Sequence, residues 1–277
     1  MDYLTRRNWG LPPDPWAGPG VPTADAARAA LLVRAAAEAQ AMAWITGPRG
    51  SGKTVAVRGA LAEAGAETVE PLRLDRERLR MGDVLSAIVR DVSGERPRQS
   101  AEARAGQARR ILGQAARPPV LWIDEAHALH PATVRGLKRL RELAWKGRAP
   151  LLGIVLSGQR DASERIPEVG LRSDRAELIG LTPDEASAAV CRALNGDRMR
   201  IEPDAVRLVA ESPAGRNWLD LQSACDAVLA AASAAGEARA SAGTVRRALG
   251  LRERAPAAAA SEEALLAHVE ARREAAA

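Results

Sequence analysis

The stretch ITGPRGSGKT, residues 45–54, fits the pattern G-x-x-x-x-G-K-[ST] with Gly47, Gly52, Lys53 and Thr54. The pattern has a chemical reason. Glycines let backbone N–H groups curl around a phosphate. A helix beginning at the loop turns its positive end toward the same anion. Pro48, Arg49, Gly50 and Ser51 complete the cradle. Lys53 is expected on the β- and γ-phosphates of ATP, and the Thr54 hydroxyl on Mg²⁺. The flanks agree. AMAWIT, residues 41–46, reads as a buried strand, and KTVAVRGALAEAG, residues 53–65, as a helix stopped by Gly65.

A second motif completes the first. VLWIDEAH, residues 120–127, is an apolar strand ending in Asp124 and Glu125. In an open α/β sheet, ligands sit outside the strand C-termini, so this acidic end and the phosphate loop are expected to meet. Asp124 is expected to hold Mg²⁺ through water, and Glu125 to polarise the attacking water in ATP hydrolysis. His127 and His130 lie three apart with no further His or Cys nearby, too few ligands for zinc. The letters DEAH also occur in helicases, but the second motor domain those enzymes need is not in this sequence.

Further along, LSGQRD places Ser157 at the end of a fourth strand, where a polar group can sense the γ-phosphate, with Gln159 as a second candidate. Arg172 and Arg175 precede a fifth strand and are candidates for an arginine acting on a neighbouring subunit's γ-phosphate. The plain alternatives are a strand-ending turn and ion-paired surface arginines.

Read end to end, residues 1–22 form an irregular arm rich in Pro, Gly and Trp. Residues 23–180 alternate strands and helices, which implies a parallel sheet with crossovers. Strands are expected at 41–46, 67–74, 118–129, 149–159 and 176–181. Helices are expected at 24–38, 53–65, 81–94, 100–116 and 131–147. Residues 181–252 hold helical patterns alone, near 182–194, 203–211, 217–235 and 242–249, and read as a small lid. Residues 253–277 are a low-complexity, Ala-rich tail.

The bulk numbers exclude several classes. The 277 residues are ample for a core, and 47% hydrophobic content is ordinary for a globular chain. No apolar run is long enough to span a membrane, and the start has no secretory signal. Cys191 and Cys225 fall in helical patterns and are expected as small core residues, in a reducing cytoplasm. Net charge is +5, and all but three of the 40 basic residues are arginine. That balance supports an anionic partner weakly, because heavy Ala and Arg use also fits a GC-rich coding bias.

In this order of parts, residues 20–250 resemble an AAA+ ATPase. The stretches IDEAHALHPATVRGLKRLRELAWKGRAPLLGIVLSGQRD and EVGLRSDRAELIGLTPDEA are similar to the ATPases that regulate DNA transposition, the Mu-type phage B proteins and the TniB group. The ExeA-type secretion ATPases share a similar core, and YLTRRNWGLPPDPW resembles their N-terminal segment. The resemblance implies an α/β P-loop AAA+ domain, its parallel five-stranded sheet flanked by helices, followed by an all-helical lid. It also implies an ATPase that assembles as a ring or helical filament on duplex DNA and recruits or stimulates a transposase. Backbone-directed DNA contacts are expected from Arg76, Arg78 and Arg80, or from the helix carrying Arg135, Lys138, Arg139 and Arg141. Each segment reads equally as a solvated face. The sequence departs from related lids in AGRNWLDLQ, where Leu219 stands at the place of an expected arginine and Arg216 is displaced. The other readings are an ExeA-type secretion ATPase and an ATP-driven switch acting on proteins alone.

Overall fold

The computed structural model describes residues 3–17, 20–162, 166, 170 and 173–251. Arg172 and the tail from residue 252 lie outside the described residues. Five strands, β1 (Met42–Thr46), β2 (Thr68–Val69), β3 (Val120–Ile123), β4 (Gly153–Gly158) and β5 (Asp174–Glu177), form one sheet in the order β2-β3-β4-β1-β5. All pairings are parallel.

The central strands are buried on both faces, so their apolar runs are continuous rather than alternating. Alternate residues nevertheless divide between two cores. Met42, Trp44, Leu121, Ile123, Ile154 and Leu156 enter one core, with α4 (Met81–Ser93), α5 (Ala101–Gln114) and α6 (Pro131–Arg141). Ile45, Val120, Trp122 and Val155 enter the other, with α2 (Ala24–Ala39) and α3 (Lys53–Glu63). Thr23 caps α2 by accepting the Ala26 N–H, and Asp25 beside it accepts the Gly180 N–H at 2.8 Å.

Among the described residues, four α-helices follow the sheet: α7 (Pro183–Leu194), α8 (Pro203–Glu211), α9 (Trp218–Ala234) and α10 (Ala242–Leu249). Thr182 and Glu185 form a capping box on α7. The helices share a third core around Val190, Leu194, Ile201, Val209, Leu221, Val228 and Leu229.

Five expectations are corrected. The stretch before residue 22 contains a helix, α1 (Tyr3–Asn8), and Trp9 and Leu11 enter the lid core. The Trp9 indole donates to Leu229 O at 3.1 Å, and the buried Arg200 guanidinium donates to Trp9 O, Gly10 O and Leu194 O. The second strand spans two residues rather than 67–74: β2 is an edge strand, and Pro71 lacks a ladder donor. The fifth strand starts at Asp174, not 176, so Arg175 lies within it. The helix at 131 ends at Arg141, because Trp145 and Arg148 pair in a turn over Gly113. Cys225 is buried, but Cys191 is exposed on α7.

Candidate functional site

The phosphate loop runs from the end of β1 into α3. Gly52, at φ +89°, is the N-cap of α3 and, as a glycine, brings no side chain to cap it. Its first N–H groups are therefore open to an anion. The Lys53 ammonium is buried and folds over the loop. It donates to Gly47 O at 2.9 Å, Pro48 O at 2.8 Å and Ser51 Oγ at 3.4 Å. Burial pushes its pKa below the usual lysine value, and the nearby Glu125 and Asp124 carboxylates oppose the shift. A buried cation solvated by neutral carbonyls, beside uncapped helix N–H groups, fits a polyphosphate.

The acidic strand end meets this loop. Thr54 Oγ1 donates to Asp124 Oδ2 at 2.7 Å, and Ser157 Oγ donates to Asp124 Oδ1 at 2.7 Å. The Glu125 N–H reaches the same Oδ1 at 3.0 Å. Ser157 is wholly buried and accepts from the Trp122 indole N–H at 3.0 Å. Its hydroxyl is therefore committed to orienting Asp124 rather than turned outward. A hydroxyl and a carboxylate 2.7 Å apart are a hard-oxygen donor set that fits Mg²⁺.

The Glu125 N–H joins this network, but its side chain has a separate partner. Its backbone is left-handed, φ 55°, which is uncommon for a non-glycine residue and is a form of strain found at functional sites. Its half-exposed carboxylate lies 3.5 Å from His127 Nδ1. His127 Nδ1 also accepts the Gln159 N–H at 3.3 Å, and the Gln159 side chain is exposed.

The remaining candidates lie further out. Arg175 pairs with Trp44 in the β1–β5 register, and its Nε is 2.7 Å from Asp161 Oδ2. In the turn after β2, Arg76 donates to Pro71 O, Arg78 pairs with Asp75, and Arg80 donates to Glu77 O. These arginines shape their own loop. That loop touches the α6 start, where Thr133 Oγ1 donates to Leu79 O at 2.8 Å. The two basic segments, separate in the sequence, are thus neighbours. On α6, Lys138 lies 3.9 Å from Glu142, Arg139 is exposed, and Arg141 donates to Gln40 O.

The sequence did not reveal how the lid meets the loop. Asn217 Nδ2 donates to Arg49 O at 2.6 Å, and the Trp218 N–H donates to Gly50 O at 3.0 Å. Leu219 is half-exposed and Arg216 exposed. The stretch AGRNWLDLQ carried the signal, but in Asn217 and Trp218 rather than in an arginine.

Residues 36–166 match the family described as AAA domain. No curated protein sequence matches the chain. Among solved structures, the chain is similar to Cdc6p from Pyrobaculum aerophilum, with a TM-score of 0.62 and 18% identity over 84% of this chain and 69% of that one. It is similar to the RuvB Holliday junction branch migration motor of Thermotoga maritima, with a TM-score of 0.55 and 18% identity over 82% and 68%. It is also similar to Drosophila ORC bound to DNA, with a TM-score of 0.59 and 15% identity over 89% and 64%. With the loop, the Asp124–Glu125 strand end and the sheet order, these likenesses show that the chain carries a P-loop domain of AAA+ fold, with a helical region after it in the place of a lid.

Proposed function

We propose that this protein is an ATPase that assembles on duplex DNA with little sequence preference and regulates or recruits a transposase. Lys53 and the loop N–H groups bind the triphosphate. Thr54 and Asp124 hold Mg²⁺, which supplies charge neutralisation at the phosphates. Ser157 fixes the Asp124 carboxylate, and Glu125 takes a proton from the attacking water. The work is positioning and electrostatic stabilisation, as phosphoryl transfer requires.

One observation carries the DNA part. The basic turn at 76–80 and the α6 start touch each other through Thr133 and Leu79, and the 76–78 turn packs against the 126–128 turn that follows Glu125. A polyanion on this face therefore lies beside the hydrolytic carboxylate. The solved structures support the reading by likeness: one is Drosophila ORC bound to DNA and another is the RuvB Holliday junction branch migration motor. Transposition as the process rests on the sequence resemblance alone. The same reading includes a cytoplasmic location and a ring or filament of identical subunits.

The test is an electrophoretic shift on random duplex DNA with a slowly hydrolysed ATP analogue. Binding should require the analogue, ignore sequence and fall steeply with salt, because neutralised phosphates release counterions. Charge reversal at Arg76, Arg78 and Arg139 together should flatten the salt slope. Equal binding without nucleotide, or salt-insensitive binding, overturns the DNA reading in favour of a switch acting on proteins.

A further inference from the structure

We infer that Asn217 and Trp218 are positioning residues for nucleotide binding: from the lid, they hold the phosphate loop in its anion-receiving shape. The inference rests on the phosphate-loop reading above.

The argument starts from the peptide unit. A trans peptide points its C=O and N–H in opposite directions. The Arg49 carbonyl is held by Asn217 Nδ2 and the Gly50 carbonyl by the Trp218 N–H. The N–H groups of Gly50 and Ser51 therefore face away from the lid, into the loop, where that of Ser51 meets Pro48 O at 3.2 Å. Without these two anchors, a glycine-rich loop has many conformations, and ordering it would be charged against ligand binding.

The fit is close. Gly50 has φ +81°, and a Cβ there would collide with the Asn217 carboxamide. At Gly52 a Cβ would stand 3.0 Å from the Trp218 indole nitrogen. Two glycines of the loop thus serve the approach of the lid as well as that of the phosphate. Asn217 does a second job with its other atom. Its Oδ1 caps α9 by accepting the Leu219 and Asp220 N–H groups at 2.9 and 3.3 Å. One side chain thereby fixes both the helix start and the loop. Because α9 continues into the lid core at Leu221, Val228 and Leu229, the anchor is backed by buried packing.

The two jobs of Asn217 can be separated. Serine caps a helix about as well as asparagine but is too short to reach Arg49 O. Asn217→Ser should keep the α9 cap, so without nucleotide its melting temperature should fall by no more than the one lost bond to Arg49 O. It should bind fluorescent N-methylanthraniloyl-ATP with Mg²⁺ roughly three- to tenfold more weakly, the loss of one net hydrogen bond's ordering. A second pair isolates the backbone anchor. Trp218 is the first residue of α9, where proline is tolerated, and Asn217 is already extended at φ −131° and ψ 131°, as a residue before proline must be. Trp218→Pro and Trp218→Ala both lose the indole, but only the first loses the N–H, so Trp218→Pro should bind the nucleotide more weakly than Trp218→Ala. Lys53→Ala runs beside them. If Lys53→Ala fails to bind while Asn217→Ser binds as wild type and the two Trp218 variants bind alike, the lid anchors are overturned. An affinity loss that appears only with a melting temperature fallen well beyond that one bond overturns them too. If Lys53→Ala binds normally, the phosphate-loop reading fails and this inference falls with it.

Discussion

Thr54 Oγ1 donates to Asp124 Oδ2 across 2.7 Å, so the helix after the phosphate loop and the acidic end of β3 share a hydrogen bond over 70 residues of sequence. Ser157 locks the other oxygen of the same carboxylate from β4. Two elements, α3 and β4, therefore hold the Asp side chain at the end of a third, and Lys53 and Glu125 flank it.

Lys53→Ala should abolish nucleotide binding. The ammonium is positioned for two or so charge-assisted bonds to phosphate, each about 1.5–3 kcal/mol, so affinity should drop about a hundredfold or more. Titration with fluorescent ATP measures this, and near-normal affinity refutes the assignment. The variant should not lose stability without nucleotide. Burial lowers the lysine pKa, so between the folded value and 10.5 the unfolded chain binds more protons. In that window the lysine's contribution to stability rises with pH, and below it the buried charge opposes folding. Thermal melts of both proteins at neutral and alkaline pH check the sign.

Glu125→Gln should bind ATP normally and hydrolyse it about 10²- to 10⁴-fold more slowly, the usual span for a lost general base. The isosteric amide keeps the shape of the left-handed turn at Glu125, so the melting temperature should hold. Phosphate release at the wild-type rate would remove Glu125 from the reaction.

Ser157→Ala should act through Asp124. The substitution orphans the buried Trp122 N–H, at about 1–3 kcal/mol, and frees one oxygen of the Asp124 carboxylate. Urea unfolding should show the stability loss. The Mg²⁺ concentration for half-maximal ATPase should rise, while affinity for ATP measured without metal stays unchanged. A variant altered in ATP affinity but not in its Mg²⁺ requirement would instead support a direct contact between Ser157 and phosphate.

The sheet and the lid helices were legible because their signals are local: apolar runs, glycine and proline punctuation, and caps such as Thr182 with Glu185. What the sequence hid were contacts between distant segments. Trp9 and Leu11 look like part of a Pro/Gly-rich arm, yet they are buried by a lid core more than 170 residues away. Ser157 was recognisable as a polar strand end, but its partners Asp124 and Trp122 depend on strand order. The β2 and β5 bounds were misjudged because edge strands lack the two-sided burial that makes central strands apolar; β5 reads DRAE. Asn217 is visible in the sequence, but its bond to Arg49 O joins segments 168 residues apart, and nothing local marks it.

Arg175 calls for the most discriminating experiment, because the structure gives it a partner in its own subunit. Its guanidinium is half-exposed and lies against the buried Asp161, midway along β5 at the level of Trp44 rather than at the Thr46 end where the phosphate loop starts. A role in hydrolysis, as an arginine finger, would be exercised on a neighbouring subunit's γ-phosphate. Two roles then compete. If the pair with Asp161 is structural, Arg175→Ala and Asp161→Asn should lower the melting temperature by similar amounts, with a coupling of roughly 1 kcal/mol in a double-mutant cycle, and neither should affect hydrolysis per folded molecule. If Arg175 acts in trans, Arg175→Ala should lose ATPase about 10³-fold while Asp161→Asn, which keeps the arginine, retains it. Mixing Arg175→Ala with Lys53→Ala should then restore measurable turnover, because each intact phosphate loop can meet an intact arginine from the other protein. The trans role is wrong if Arg175→Ala hydrolyses ATP at the wild-type rate or if mixing restores nothing.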